Sequence, residues 1–139
     1  MKPVVHTYLF LGGDCAAALK FYGKAIGAKV SFQMKYSESP QATPPSMLAR
    51  GWKNKIMHCT FHIGQTMLMA SDGCGPDDKG EGYSLSLSLP TEAAAKKAFK
   101  SLSDGGKVNQ PLAKTFWSPC FGMLTDRFGV SWMVTVIGS

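Results

Sequence analysis

The chain is 139 residues long, 45% hydrophobic and 17% charged, which suits one globular domain or two small halves sharing a core and excludes a disordered chain. Its formal net charge of +6 comes from basic residues spread along the sequence without an arginine-rich stripe, which reads as a solvated basic surface and not as a nucleic-acid footprint. No apolar run approaches the ~20 residues of a membrane helix, and Met1-Lys2-Pro3 leads into a strand pattern without a secretory leader. The expectation is a cytoplasmic protein with no nucleic-acid and no membrane partner.

The first strand is predicted over Val4–Leu11, with His6, Tyr8 and Phe10 alternating onto one face. Gly12-Gly13-Asp14 breaks it. A helix follows from Asp14 or Cys15 to about Ile26, its apolar stripe formed by Ala18, Phe21, Tyr22 and Ala25 and its end marked by Gly27. Lys29–Tyr36 alternates as a strand. In residues 37–55, Pro40, Pro44 and Pro45 oppose regular structure. A loop this long usually has a job of its own, and Met47, Leu48 and Trp52 mark part of it for packing on a partner subunit or over a pocket.

Ile56–Ile63 and Thr66–Ala70 form a predicted hairpin around Gly64-Gln65, and residues 71–82 are a Gly/Asp-rich connection. Tyr83–Leu89 is the next strand. Thr91 is a fitting N-cap for a helix that runs to about Ser103 and ends at Gly105-Gly106. Lys107–Lys114 and Cys120–Thr125 are predicted strands, Asp126–Gly129 a turn, and Ser131–Ile137 the closing strand.

The chain nearly repeats itself. AAALKFYGKAIGAKV at 16–30 returns as AAAKKAFKSLSDGGKV at 93–108, each copy after an alternating run and before strands with a Gly turn. A half of about 70 residues is marginal alone. The predicted fold is therefore α+β, two βαβββ modules forming a curved mixed sheet around a cleft. They make a single domain over 1–139, with module one at about 4–72 and module two at about 83–138.

Cys15, Cys59, Cys74 and Cys120 contain no C-x-x-C pair, so they read as free thiols and not as a structural zinc site. Cys120 is a nucleophile only if a histidine lies beside it. His58, Cys59 and His62 would share a metal on a helix. Ile56–Ile63 reads as a strand, however, where four residues span about 13 Å and two histidines share a face without sharing an ion. His58 is either a hydrogen-bonded cleft or core histidine or an acid/base group and ligand anchor. Phe116, Trp117, Phe121 and Trp132 cluster in the second half as candidates for a small-organic-ligand wall, with core packing the other reading for Trp132. Asp72 and Asp126 read as turn formers.

Leu19-Lys20-Phe21-Tyr22 with Gly27-Ala28, Met57-His58, Gly64 with Met67–Asp72, Thr115-Phe116-Trp117 and, most specifically, Asp126-Arg127-Phe128-Gly129-Val130-Ser131-Trp132-Met133 span nearly the whole chain. In these motifs it resembles the vicinal oxygen chelate (glyoxalase/bleomycin resistance/dioxygenase) superfamily, in its PhnB-like branch, often labelled 3-demethylubiquinone-9 3-methyltransferase-like. The resemblance implies paired modules curling into a cleft, usually in a homodimer. Metal-dependent members place ligands on the first and last strands of each module. His6 matches the first such position. Ser84 (Tyr83 if the register slips) stands at its counterpart, and Met133 stands where a glutamate four residues after the turn glycine is the rule. Its repeat mate is Leu68, flanked by Met67 and Met69.

One good donor in four positions predicts no metal and no cofactor. The branch label does not imply methyl transfer here, because the strand–Gly-rich loop–helix pattern of S-adenosylmethionine sites is absent from the sequence. The expected function is binding of a small, partly apolar ligand through His6, His58, Trp117, Phe121 and Trp132. The alternatives are a metal-dependent lyase, isomerase or dioxygenase using His6, or a protein that sequesters a drug or toxin.

Overall fold

The structure is a computed structural model that describes residues 2–137. The chain divides into two compact units, Met1–Gly80 and Glu81–Ser139.

In the first unit, β1 (Tyr8–Phe10), α1 (Cys15–Ile26), β2 (Lys29–Lys35), β3 (Ile56–Ile63) and β4 (Thr66–Ser71) follow in chain order. The strands lie in the order β1-β4-β3-β2, with β1 parallel to β4 and the other pairs antiparallel. Cys15, Ala18, Leu19 and Tyr22 form the buried stripe of α1; Phe21 and Ala25, expected in that stripe, are only half-buried. The helix stops where Gly27 takes φ 73° and its N–H bonds the Gly23 carbonyl, while Ala28 N–H bonds that of Tyr22, a left-handed termination that glycine adopts without strain. β1 is shorter than Val4–Leu11: its ladder with β4 covers Tyr8 to Phe10, and Val4 and Val5 are exposed.

The α1 N-terminus is held from a distance. Asp14 makes no side-chain cap. Instead Asp72, buried just past β4, accepts the Cys15 N–H at 2.8 Å and the Ile56 N–H at 2.7 Å. One carboxylate thereby ties the start of the helix to the start of β3. Residues 37–55 contain two short 3-10 turns, Pro45–Met47 and Trp52–Asn54, after a first at Tyr36–Glu38. Trp52 was expected over a pocket or partner. It is buried in its own unit, donating Nε1–H to the Gly73 carbonyl at 2.8 Å, and its ring would meet any side-chain carbon placed on Gly13 at 3.0 Å. The loop is therefore pinned to the core beside it.

In the second unit, β5 (Leu85–Leu89), α2 (Glu92–Ser103), β6 (Lys107–Ala113), β7 (Phe121–Thr125) and β8 (Ser131–Val136) repeat the plan in the order β5-β8-β7-β6, with β5 parallel to β8. Both units are thus four-stranded mixed sheets with one helix, the α+β pattern of paired βαβββ modules. Thr91 caps α2 as expected, its hydroxyl accepting the Ala94 N–H at 3.1 Å. Ala95, Ala98, Phe99 and Leu102 are the buried face of α2. Among the described residues no helix is long and apolar enough to cross a membrane.

Candidate functional site

Strand alternation gives each sheet a helix-covered face and a helix-free face. In the first unit the Cys15 and Cys59 sulfurs meet at 3.7 Å. That contact places Cys59 under α1, together with Leu9, Ala70, Leu68 and Phe61, which share its side of the register and are all buried. The opposite side carries Tyr8, Met69, Thr60 and Phe32 across one line of the ladder. Phe10, paired with Ser71, and His58, paired with Met34, stand on the same side. Tyr8, Phe10 and Phe32 are 37%, 48% and 47% exposed, so a run of aromatic and thioether surface is left open to a ligand.

His58 sits within this surface. Its Nδ1 lies 3.1 Å from the Tyr8 hydroxyl, and its ring centroid lies 5.7 Å from that of Tyr8 and 6.2 Å from that of Phe32. The Tyr8 ring is 5.1 Å from Phe10. Burial raises the Tyr8 phenol above its ordinary value, and a hydrogen bond from the Ser71 side chain partly offsets that rise. The phenol is therefore neutral at physiological pH and can donate. Ser71 is itself buried and accepts the Gly73 N–H at 3.1 Å. His62 follows on the same side of β3, opposite Met67, and His6 is half-buried just ahead of β1.

The inherited metal positions do not fit a divalent ion. Met133 pairs with Ser86 and Met123 on the helix-free face of the second sheet, and Ser84, the expected counterpart of His6, stands just ahead of β5. Leu68 does not correspond to Met133. It is buried under α1, and Met69, paired with Tyr8, takes that place. The hairpins differ in length: β3 and β4 are joined through Gly64-Gln65, β7 and β8 through residues 126–130. Counting from the turn glycine therefore slips by one residue and lands on the wrong face. Thioethers suit soft ions, and neutral serine hydroxyls bring neither the anionic charge nor the imidazole nitrogen on which zinc and hard-cation sites are built. Among the described residues no group of three or more His, Cys, Asp and Glu is placed to hold a metal ion.

In the second unit, Phe121 lies on the helix-free face beside Thr135. Trp117 packs edge-on against it at 5.3 Å, and Phe116, 96% exposed, packs against Trp117 at 4.7 Å. Trp132 is not part of this surface. It is 2% exposed, on the helix side of β8, and donates Nε1–H to Asp126 at 2.9 Å. It is a core residue and drops out of the candidate ligand set. Asp126 is a turn former, as expected, and more: its carboxylate also accepts the Phe128 and Val130 N–H groups. Cys120 is buried, with its N–H on the Ser118 hydroxyl. The four cysteines are free, and the Cys59 contact followed by burial pushes the Cys15 thiol far up, which makes it a poor nucleophile.

Tyr8, Phe10 and Phe32 were absent from the expected ligand set. The alternation of His6, Tyr8 and Phe10 was visible in the sequence. Only the register of β1, β4, β3 and β2 reveals that Phe32 and His58 lie on the same side as Tyr8.

Comparison with known proteins places this arrangement. A family profile described as the Glyoxalase/Bleomycin resistance protein/Dioxygenase superfamily matches residues 4–134. The chain is 30% identical over 137 residues to Protein YjdN of Escherichia coli (strain K12), covering 94% of this chain and 92% of YjdN. Among solved structures, protein PA1353 from Pseudomonas aeruginosa superposes with a TM-score of 0.85 at 36% identity, over 99% of this chain and 100% of that one. The PhnB protein from Bacillus cereus shares the fold with a TM-score of 0.79 at 24% identity, over 96% of this chain and 99% of its own.

Proposed function

The chain belongs to the Glyoxalase/Bleomycin resistance protein/Dioxygenase superfamily, and we propose that it is a PhnB-like, small-molecule-binding member that works without a bound metal. The observation that carries this reading is the helix-free face of the first sheet, where Tyr8, Phe10, Phe32 and Met69 surround one hydrogen-bonding histidine, His58. Mostly apolar walls with few polar groups are the usual make-up of a site for a small organic ligand. Trp117 and Phe121 are retained as a second ligand-contacting surface, and His6 as a flanking polar group. The loss of donors at the metal positions favours binding over oxygen-chelating catalysis.

Methionine-methyl and histidine NMR during a screen of small aromatic fragments tests this. Binders shift Met34, Met69 and His58 together, and Phe32→Ser, a change at a half-exposed position, weakens them severalfold. Fragments that leave these signals unmoved overturn the assignment. The bleomycin-resistance part of the superfamily description supports a second reading, sequestration of a drug or toxin on the same surface. Product formation from a bound compound excludes it. The same proposal takes the protein as a cytoplasmic homodimer, supported by exposed Met47 and Phe116; a stable monomer in sedimentation at micromolar concentration contradicts the dimer.

A further inference from the structure

We propose that Cys15 and Cys59 form a redox site, in which a small peroxide oxidises the two thiols to an intramolecular disulfide that bolts the start of α1 to β3, and a dithiol reductant reopens it. The site lies on the helix side of the first sheet and is independent of the ligand face.

The scaffold sets the approach of the two sulfurs. They stand 3.7 Å apart, 44 positions apart in sequence, and both residues are fully buried. Cys15 is the first residue of α1, and its backbone N–H is held at 2.8 Å by the buried Asp72 carboxylate. That carboxylate also takes the Ile56 N–H at 2.7 Å, where β3 begins. Cys59 is fixed in the middle of the sheet, paired with Gln33 on β2 and Ala70 on β4. Neither backbone is free to drift, and closing about 1.7 Å turns the 3.7 Å contact into an S–S bond of about 2.0 Å. The other two thiols are placed differently. Cys74 is only half-buried, its sulfur 4.0 Å from the Tyr36 hydroxyl, and Cys120 belongs to the second unit.

The reaction balances on these two side chains. One sulfur, as its thiolate, attacks a peroxide oxygen. The O–O bond breaks, hydroxide leaves and takes up the proton that sulfur has lost, and a sulfenic acid remains. The other sulfur attacks it, the S–O bond breaks, and the second thiol proton leaves with the hydroxide. Two thiols and one peroxide give one disulfide and two waters, and two electrons pass from sulfur to oxygen. Burial decides how far oxidation goes. A glutathione-sized thiol is too large to reach the pair in the folded chain, whereas each sulfur has the other in contact to resolve a sulfenic acid. The product is therefore the internal bridge, not a mixed disulfide or a sulfinic acid.

The test uses the full chain, reduced, freed of reductant and treated with a small excess of hydrogen peroxide. The expected product is lighter by two hydrogens and yields a peptide joining Cys15 to Cys59 in a non-reducing digest. Its melting temperature is expected several degrees above that of the reduced chain, because the bridge restricts the unfolded state. Dithiothreitol reverses all three changes. Cys74→Ser should give the same bridge, and Cys59→Ala should show neither the mass loss nor the shift; the wild-type digest is read whether or not that variant folds. Treated wild-type protein in which Cys15 and Cys59 are both still open to alkylation after unfolding overturns the proposal, as does a bridge from either of them to Cys74 or Cys120. A Cys15–Cys59 bridge that lowers the melting temperature overturns the claim that the fold presets it.

Discussion

The two units share one strand order and one helix position, yet they solve the same structural problems with different residues. The N-terminus of α2 is capped locally, by Thr91 three residues before the donor it serves. That of α1 is capped by Asp72, 57 positions from Cys15 in sequence. The β3–β4 turn needs no side chain, whereas the β7–β8 turn is built around the buried Asp126, which holds two backbone N–H groups and the Trp132 indole. Their helix-free faces differ as much. The first carries two histidines, a tyrosine and two phenylalanines on one side; the second carries serines on β5, two methionines and an aromatic ladder leading off Phe121. All three histidines, His6, His58 and His62, lie in the first unit. The scaffold repeats, and the histidines lie on one copy.

If the two units differ in this way, substitutions at matched positions should have unmatched effects. Asp126→Ala removes the carboxylate that accepts three N–H groups, and losing such a bond costs about 1–3 kcal/mol where the donor is buried. It is expected to cost about 3–5 kcal/mol in urea unfolding, and a loss below about 1 kcal/mol would contradict the role given to it. Asp72→Ala strands two donors and should cost about 2–4 kcal/mol, with hydrogen exchange rising first at the start of α1. Gly122→Ala places a side-chain carbon 2.8 Å from the Phe99 ring and 3.0 Å from the Gln110 carbonyl, and overpacking of this kind costs about 1–3 kcal/mol. Thr91→Ala removes an exposed local cap worth about 1 kcal/mol. That smaller loss, beside the larger one at Asp72, is the sharpest form of the comparison.

The smallest effect is a pH slope. Burial, followed by the contact with Cys74, pushes the Tyr36 phenol up to about 12. The folded state then holds a proton that the unfolded chain releases near pH 10. Its contribution is present below pH 10 and is lost as pH rises toward 12. Tyr36→Phe also removes the hydroxyl bond to the Gly73 carbonyl, so the check is the slope of the melting temperature between pH 10 and 12, not its level. The variant should show a shallower decline, and an unchanged slope would contradict the assignment.

What could be read in advance follows the range of the interactions. α1 and α2 were legible to within a residue because their periodicity and flanking glycines are local, and β3 because alternation and turns bound it on both sides. Thr91 was legible for the same reason. Asp72 reads as a turn former because nothing near it in sequence announces a helix 57 residues upstream. The pairing of Met133 with Leu68 fails because a strand's period of two turns a one-residue slip in the count from the turn glycine into an opposite face. Trp132 is open in the sequence to a ligand-wall and to a core reading, and its burial with its bond to Asp126 decides for the core. In the candidate site, His58 was singled out from the sequence. Tyr8, Phe10 and Phe32, which define its surroundings, needed the register of four strands.

The most direct test of a metal-free ligand face is a fragment titration followed at His58 and Met69, on protein as purified and again after exhaustive chelation. The account predicts the same binding midpoint in both samples. Binding that disappears with the chelator and returns on adding zinc, manganese, nickel or iron would contradict it.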